Sequence, residues 1–168
     1  MFPYNDIQKI KYFTAVVSGK RDESKPVRQE LYFRALCTLP SVEIIEGNFI
    51  TKQVKIQVTP EVCVLAKVPE EKGTDVNIAV HLVNDAHHKK FDTAIVVSND
   101  SDLAEAIRIV TKELRLKVGV LNPYDKFSKV LNKDASFKLS VREGPIISSQ
   151  FSHILIDAVG DFTKPQSW

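Results

Sequence analysis

Two rhythms of apolar positions run along this chain, one of period two and one near 3.6. Between positions 41 and 68 the residues alternate: Val42 and Ile44, then Val54, Ile56 and Val58, then Val62, Val64, Ala66 and Val68. Gly47-Asn48 and Thr59-Pro60-Glu61 punctuate these runs, which predicts two or three strands, part of them a hairpin projecting from the main sheet. From Thr74 the rhythm changes. Val76, Ala79, Val80, Val83 and Ala86 recur at helical spacing, and Ile78 and Leu82 widen that face enough for a sheet to cover it. Gly73 closes the preceding segment and the Thr74 hydroxyl is placed to cap the helix. Asp75 falls in the first turn, where free N–H groups favour an anion, and His87, His88, Lys89 and Lys90 fall at the opposite end.

Thr93-Ala94-Ile95-Val96-Val97 is a nearly unbroken apolar, β-branched run, the pattern of a central parallel strand buried on both faces. Ser98-Asn99-Asp100-Ser101-Asp102 stops it and opens a helix with apolar positions at Leu103, Ala106, Ile107, Val110 and Leu114. Residues 117–121 form another short parallel strand, stopped by Asn122-Pro123. Upstream, residues 7–17 read as a strand. A helix follows, entered at Ser24 and Pro26 and ended at Leu39-Pro40. Downstream, residues 127–131 suggest a brief helix, 137–141 a last strand, and 146–168 a helix plus a tail. Strands alternating with helices point to one α/β domain, a Rossmann-like parallel sheet flanked by helices, with a β-hairpin extension.

Composition narrows the class only a little. The length of 168 residues suits one domain with a substantial core. A net charge of +2, from 23 basic against 21 acidic residues, is too small to argue for nucleic acid unless the bases cluster. No apolar run reaches membrane-span length and no signal pattern opens the chain. The two cysteines, Cys37 and Cys63, lack metal-ligand spacing and read as buried, reduced thiols of a cytoplasmic protein.

The acids carry the chemistry. Asp100 and Asp102 lie two apart at a strand end, the edge of an open α/β sheet where ligands bind, and Asp75 opens a helix expected beside that strand. Three converging carboxylates repel one another unless a cation joins them. Hard oxygen donors at such an edge suit Mg²⁺ or Mn²⁺, which coordinate phosphate and activate water. The plain structural reading stands beside this one. Asp75 alone serves as a helix-dipole residue, and Asp100 or Ser101 alone as a helix cap; capping, however, needs one acid and this turn offers two. Asn99 and Ser98 read first as holding the acidic loop in shape, and second as touching a metal-bound water. The His87-His88 pair reads as a solvated helix end. Lys52, Lys55, Lys67 and Lys72 occupy polar positions of the alternating stretch, a solvated face or a surface for a phosphate backbone.

The run Glu71-Lys72-Gly73-Thr74-Asp75-Val76-Asn77, with Asp92-Thr93-Ala94, Val97-Ser98-Asn99-Asp100-Ser101-Asp102 and Val118-Gly119-Val120-Leu121-Asn122-Pro123, resembles the NYN domain family of PIN-like, metal-dependent ribonucleases. Tyr12-Phe13-Thr14-Ala15 fits the same pattern, and Ser149-Gln150-Phe151, Gly160, Lys164-Pro165 and Trp168 resemble a tail of bacterial members. The resemblance implies RNA as partner, Mg²⁺ or Mn²⁺ as cofactor, and Asp75, Asp100 and Asp102 as catalytic metal-binding positions. It also implies an earlier strand ending in aspartate, set mid-sheet between the strands near Phe13 and Val96. Asp6 follows no apolar run and does not take that role. A shortened chain, an inactive member, or a gap closed by direct pairing or a second chain (a homodimer or a partner) each accounts for the difference. The alternatives to a ribonuclease are a non-catalytic RNA-binding or protein-interaction module of the same fold, and a phosphatase using Asp100 as nucleophile.

Overall fold

The computed structural model describes residues 6–19 and 22–166. The expected lead at positions 1–5, positions 20 and 21 of the polar loop, and Trp168 lie outside them. The chain divides into two compact units, one of Lys9–Thr74 with Ile156–Trp168, the other of Asp75–Leu155 with Met1–Gln8.

The first unit opens with β1 (Ile10–Ala15), shorter than its apolar run, followed by α1 (Ser24–Cys37), β2 (Val42–Thr59) and β3 (Val62–Lys72). β1 and β2 are parallel, in register from Ile10 opposite Val42 to Ala15 opposite Gly47. The Gln29 side chain of α1 fixes the end of β1, its Nε2 donating to the Ala15 carbonyl at 2.8 Å and its Oε1 accepting from Val17 N–H at 2.8 Å. Gly47-Asn48 is not the turn its composition suggested, because β2 runs straight through it. A Cβ at Gly47 would stand 3.0 Å from Thr74 Oγ1 and 3.1 Å from the Lys72 carbonyl, so the glycine serves close packing there. β2 then pairs antiparallel with β3 from Asn48 opposite Lys72 to Thr59 opposite Val62, around the expected turn at Pro60 and Glu61. Cys37 and Cys63 are free and exposed, against the expectation of buried thiols: Cys37 ends α1 and Cys63 lies on the open hairpin.

In the second unit, α2 (Thr74–His87) begins just after Gly73, whose φ of +92° breaks the preceding strand. The Thr74 hydroxyl donates to the Glu71 carboxylate, a bond made outside the helix. β4 (Thr93–Val97) leads through a 3-10 turn (Ser101–Leu103) into α3 (Ala104–Arg108) and a π-helical turn (Ile109–Glu113). β5 (Lys117–Asn122), α4 (Leu131–Asp134), β6 (Phe137–Ser140) and α5 (Glu143–Ser148) follow. The brief helix starts where residues 127–131 were expected to end it. The three strands are parallel in the order β4-β5-β6. β4 is therefore an edge strand of this sheet, bonded on one side among the described residues, and β5 is the central one. Burial follows: Val118, Gly119 and Val120 of β5 are buried, whereas Thr93 and Val97 of β4 are exposed. The core gathers Leu82 and Ala86 of α2, Val96, Leu103, Ala106, Ile107, Val110, Val118, Val120 and Leu131, the residues of the helical and strand rhythms.

The end of the chain holds a second small hairpin, β7 (Ile154–Asp157) with β8 (Gly160–Thr163), in place of the expected helix and tail. Asp157 makes the turn, Oδ1 accepting from Val159 N–H at 2.9 Å and Gly160 N–H at 3.1 Å, and Gly160 takes a φ of +130°. Arg34 of α1 grips the same carboxylate through Nε at 2.7 Å and a terminal nitrogen at 2.9 Å, and lies 4.2 Å over the Phe162 ring. That fork holds Asp157 ionised down to a pKa of about 2, its bond to Arg34 being the largest cause.

Candidate acidic site at the sheet edge

The turn after β4 is built by alternation between core and solvent. Leu103 is fully buried, while Asp100, Ser101 and Asp102 just before it are exposed. Apolar anchoring at Leu103 thus turns the acids outward. Two short bonds set the loop: Ser98 Oγ accepts from Asp100 N–H at 3.0 Å, and Asp100 Oδ1 accepts from Asp102 N–H at 2.9 Å. Asp100 is the cap of the 3-10 turn, and Asp102 lies in its first turn. The capping reading therefore applies to Asp100. Asp102 carries its carboxylate at the surface beside it.

Asn99 does what its position suggested. Its Nδ2 donates to the Lys126 carbonyl at 2.9 Å and its Oδ1 accepts from Ser128 N–H at 2.7 Å, tying the acidic loop to the segment beyond β5. That segment is tied in turn by Asn122, fully buried at the end of β5. Its Nδ2 donates to the Tyr124 carbonyl at 2.7 Å and its Oδ1 accepts from Tyr124 N–H at 3.0 Å. The Asn122 carbonyl also accepts from Val141 N–H at 2.9 Å, beyond β6. The Asn99 side chain and the Asn122 carbonyl therefore link the segments that follow the three strands, while the Asn122 side chain closes the turn after β5. Sequence reasoning used Asn122 only as a strand stop; the signal for more was an amide next to Pro123, a common turn-closing arrangement.

Asp75 lies exposed in the first turn of α2, in the same unit. Among the described residues no group of three or more His, Cys, Asp or Glu is set to hold a metal ion. The Asp100–Asp102 pair by itself suits Mg²⁺ in its donor chemistry, because that ion is commonly held by one or two carboxylates, with water and substrate phosphate filling the rest.

The lysines of the hairpin belong to the other unit and split between its faces. Lys52 and Lys72 both pair with Glu70 on one face, and these bonds draw the Glu70 carboxyl below its ordinary range. Lys55 and Lys67, opposite Leu65 and Gln53, occupy the other face. The four do not make one basic surface.

A parallel α/β sheet flanked by helices, with an acidic turn at a strand's carboxyl end, defines the PIN-like class of fold. Within it the chain belongs to the NYN domain family, whose pattern matches residues 6–140. It is 29% identical over 178 aligned positions to 6-hydroxy-3-succinoylpyridine 3-monooxygenase HspA of Pseudomonas putida, an alignment covering 95% of this chain and 57% of that protein. This chain thus spans little more than half of that relative. A solved structure of VPA0982, a Vibrio parahaemolyticus protein of unknown function, superposes with a TM-score of 0.53 at 16% identity, over 80% of this chain and 69% of that one. That likeness is one of fold. Among the described residues no helix is long and apolar enough to cross a membrane.

Proposed function

We propose that this chain is a metal-dependent ribonuclease working at the Asp100–Asp102 turn, with Asp75 as the third carboxylate of the site. The observation that supports it is the turn itself: two exposed carboxylates at the carboxyl end of a parallel strand, that of Asp100 accepting from Asp102 N–H, in a loop tied by Asn99 to the segment beyond β5. When RNA is bound, Mg²⁺ or Mn²⁺ held by Asp100 and Asp102 would supply Lewis-acid polarisation of the scissile phosphate and lower the pKa of a water. The chain's own part is to fix the angle of that turn, so that carboxylate oxygens face the phosphate without rearrangement, and to accept a proton from the attacking water at a carboxylate oxygen. The P–O bond to the leaving oxygen breaks, and that oxygen takes a proton from solvent. A cytoplasmic setting, with Cys37 and Cys63 reduced, accords with an RNA substrate.

The test is RNA cleavage with Mg²⁺ or Mn²⁺ by the wild type and by Asp100→Asn. The amide keeps an oxygen to accept from Asp102 N–H, so the variant should fold as the wild type does while cleavage falls at least about 100-fold. Asp100→Ala, which also removes the cap, should lose about 1 kcal/mol of stability as well. Equal cleavage by wild type and Asp100→Asn removes the catalytic assignment. RNA binding without cleavage by the wild type assigns the chain to the non-catalytic module instead.

A second reading rests on the relative aligned along 95% of the chain, whose name is that of a monooxygenase. In it the sheet edge receives a hydroxylated pyridine in place of a nucleotide. Turnover of 6-hydroxy-3-succinoylpyridine with dioxygen and a two-electron reductant, absent in a no-protein control, would favour it over RNA hydrolysis.

A further inference from the structure

We propose that the carboxyl edge of the β4-β5-β6 sheet is a track for single-stranded RNA, on which Tyr124 stacks one base while Lys126, Lys129 and Arg142 hold phosphates beside the Asp100–Asp102 turn. This rests on the ribonuclease reading above and names the form of RNA it takes. The three strands run parallel in that order, so their carboxyl ends stand in a row about 4.8 Å apart. Asp100 and Asp102 follow β4. Tyr124, Lys126 and Lys129 follow β5, and the Asn99 side chain, one residue before Asp100, bonds the Lys126 carbonyl at 2.9 Å and Ser128 N–H at 2.7 Å. Arg142 follows β6, next to the Val141 N–H that donates to the Asn122 carbonyl at 2.9 Å. Acids, ring and guanidinium group therefore belong to one edge of one compact unit, across strand ends spanning about 10 Å.

A lone exposed ring is ordinary on a protein surface. Tyr124 differs in how it is held. Its N–H and its carbonyl are both bonded by the fully buried Asn122 side chain, which fixes the backbone beneath a residue that is 67% exposed. Among the described residues its ring stacks on no other aromatic side chain. A ring presented on fixed backbone meets a base with little loss of freedom, and every base has a face to offer it. Lys126, Lys129 and Arg142 are exposed, and among the described residues none of them is ion-paired, so their donors are open to phosphate oxygens. Asp125 and Glu143 stand among them and leave a basic surplus of one charge. The hold thus comes from the ring and from individual phosphate contacts rather than from net charge. Bases of a duplex are already stacked on one another and have no free face for the ring, which selects a single strand.

Fluorescence anisotropy with a labelled single-stranded RNA of mixed sequence, about 10 nucleotides long, in the presence of a chelator reads binding apart from cleavage. Tyr124→Phe keeps the ring and should bind as the wild type does. Tyr124→Ala keeps the backbone bonds to Asn122 and the melting temperature, yet should lose about 5- to 150-fold in affinity, the worth of one base stack. The triple variant Lys126→Gln, Lys129→Gln and Arg142→Gln should lower the slope of log affinity against log salt by about 2, at about 0.7 for each phosphate contact, whereas Tyr124→Ala should leave that slope unchanged. A duplex of the same sequence should compete at least about fivefold less well than the single strand. RNA binding indifferent to Tyr124→Ala, or a salt slope that the triple variant does not change, overturns the track and leaves the ribonuclease reading standing. A wild type that neither binds nor cleaves RNA overturns both, and one that binds 6-hydroxy-3-succinoylpyridine but no RNA gives the ring to that smaller aromatic.

Discussion

Replacing Asn122 tests the bracing of the acidic edge through one side chain. The amide is fully buried and both its ends are used, one donating to the Tyr124 carbonyl and one accepting from Tyr124 N–H. Asn122→Ala strands both backbone groups. Each lost bond is worth about 1 kcal/mol net, and a stranded, part-buried group adds to that, giving a cost of about 2–3 kcal/mol. For a chain of this size about 2–4 °C of melting temperature accompanies each kcal/mol, so the midpoint should fall by about 4–12 °C. Asn122→Asp sharpens the argument. Protonated, its carboxyl can donate to the Tyr124 carbonyl and accept from Tyr124 N–H, reproducing the asparagine; ionised, it is a buried charge facing a carbonyl oxygen. Its folded-state pKa must therefore lie above the unfolded value of about 3.9. Below that value both states are protonated and the variant should match the wild type. As pH rises from about 4 through the raised pKa, only the unfolded state gains by ionising, and the deficit grows to a plateau. Differential scanning fluorimetry of both variants against wild type from pH 4 to 8 reads this directly. An alanine variant melting within about 1 °C of wild type, or an aspartate variant whose deficit does not grow with pH, would refute the bracing role.

Two further expectations concern packing and charge. A methyl at Gly119 would lie 2.3 and 2.4 Å from ring carbons of Phe137, its neighbour across the β5–β6 pair, so Gly119→Ala should lose at least about 1–3 kcal/mol. Adding Phe137→Leu should recover part of that loss in a denaturant double-mutant cycle, and strict additivity would count against the clash. The Asp157 carboxyl is depressed to about 2 chiefly by Arg34, so its contribution is present above the unfolded pKa and is lost as pH falls toward 2. Arg34→Met should flatten the dependence of melting temperature on pH between 5 and 2; slopes equal to wild type would show that the fork contributes nothing.

What the sequence determined by itself was local and periodic. The 3.6-residue spacing from Val76 to Ala86 gave α2 within a residue of its observed ends, and the β-branched run from Thr93 to Val97 gave β4 at its observed bounds. Ser98 to Asp102 gave the acidic turn, because a strand stop and a helix start are written in adjacent residues. Tertiary structure decided what depends on neighbours distant in sequence. The apolar content of β4 spoke of a central strand, yet strand order put β5 at the centre and β4 at an edge. Gly47 has the composition of a turn, but the return of β3 to Lys72 and Thr74 made it a place of close approach. The 154–163 hairpin is anchored by Arg34, more than a hundred residues earlier, which no local rhythm can announce. The acids show the division most clearly. Their presence at Asp75, Asp100 and Asp102 is a matter of residue type, whereas whether carboxylates meet depends on how α2 packs beside β4, a contact between elements that no period along the chain encodes.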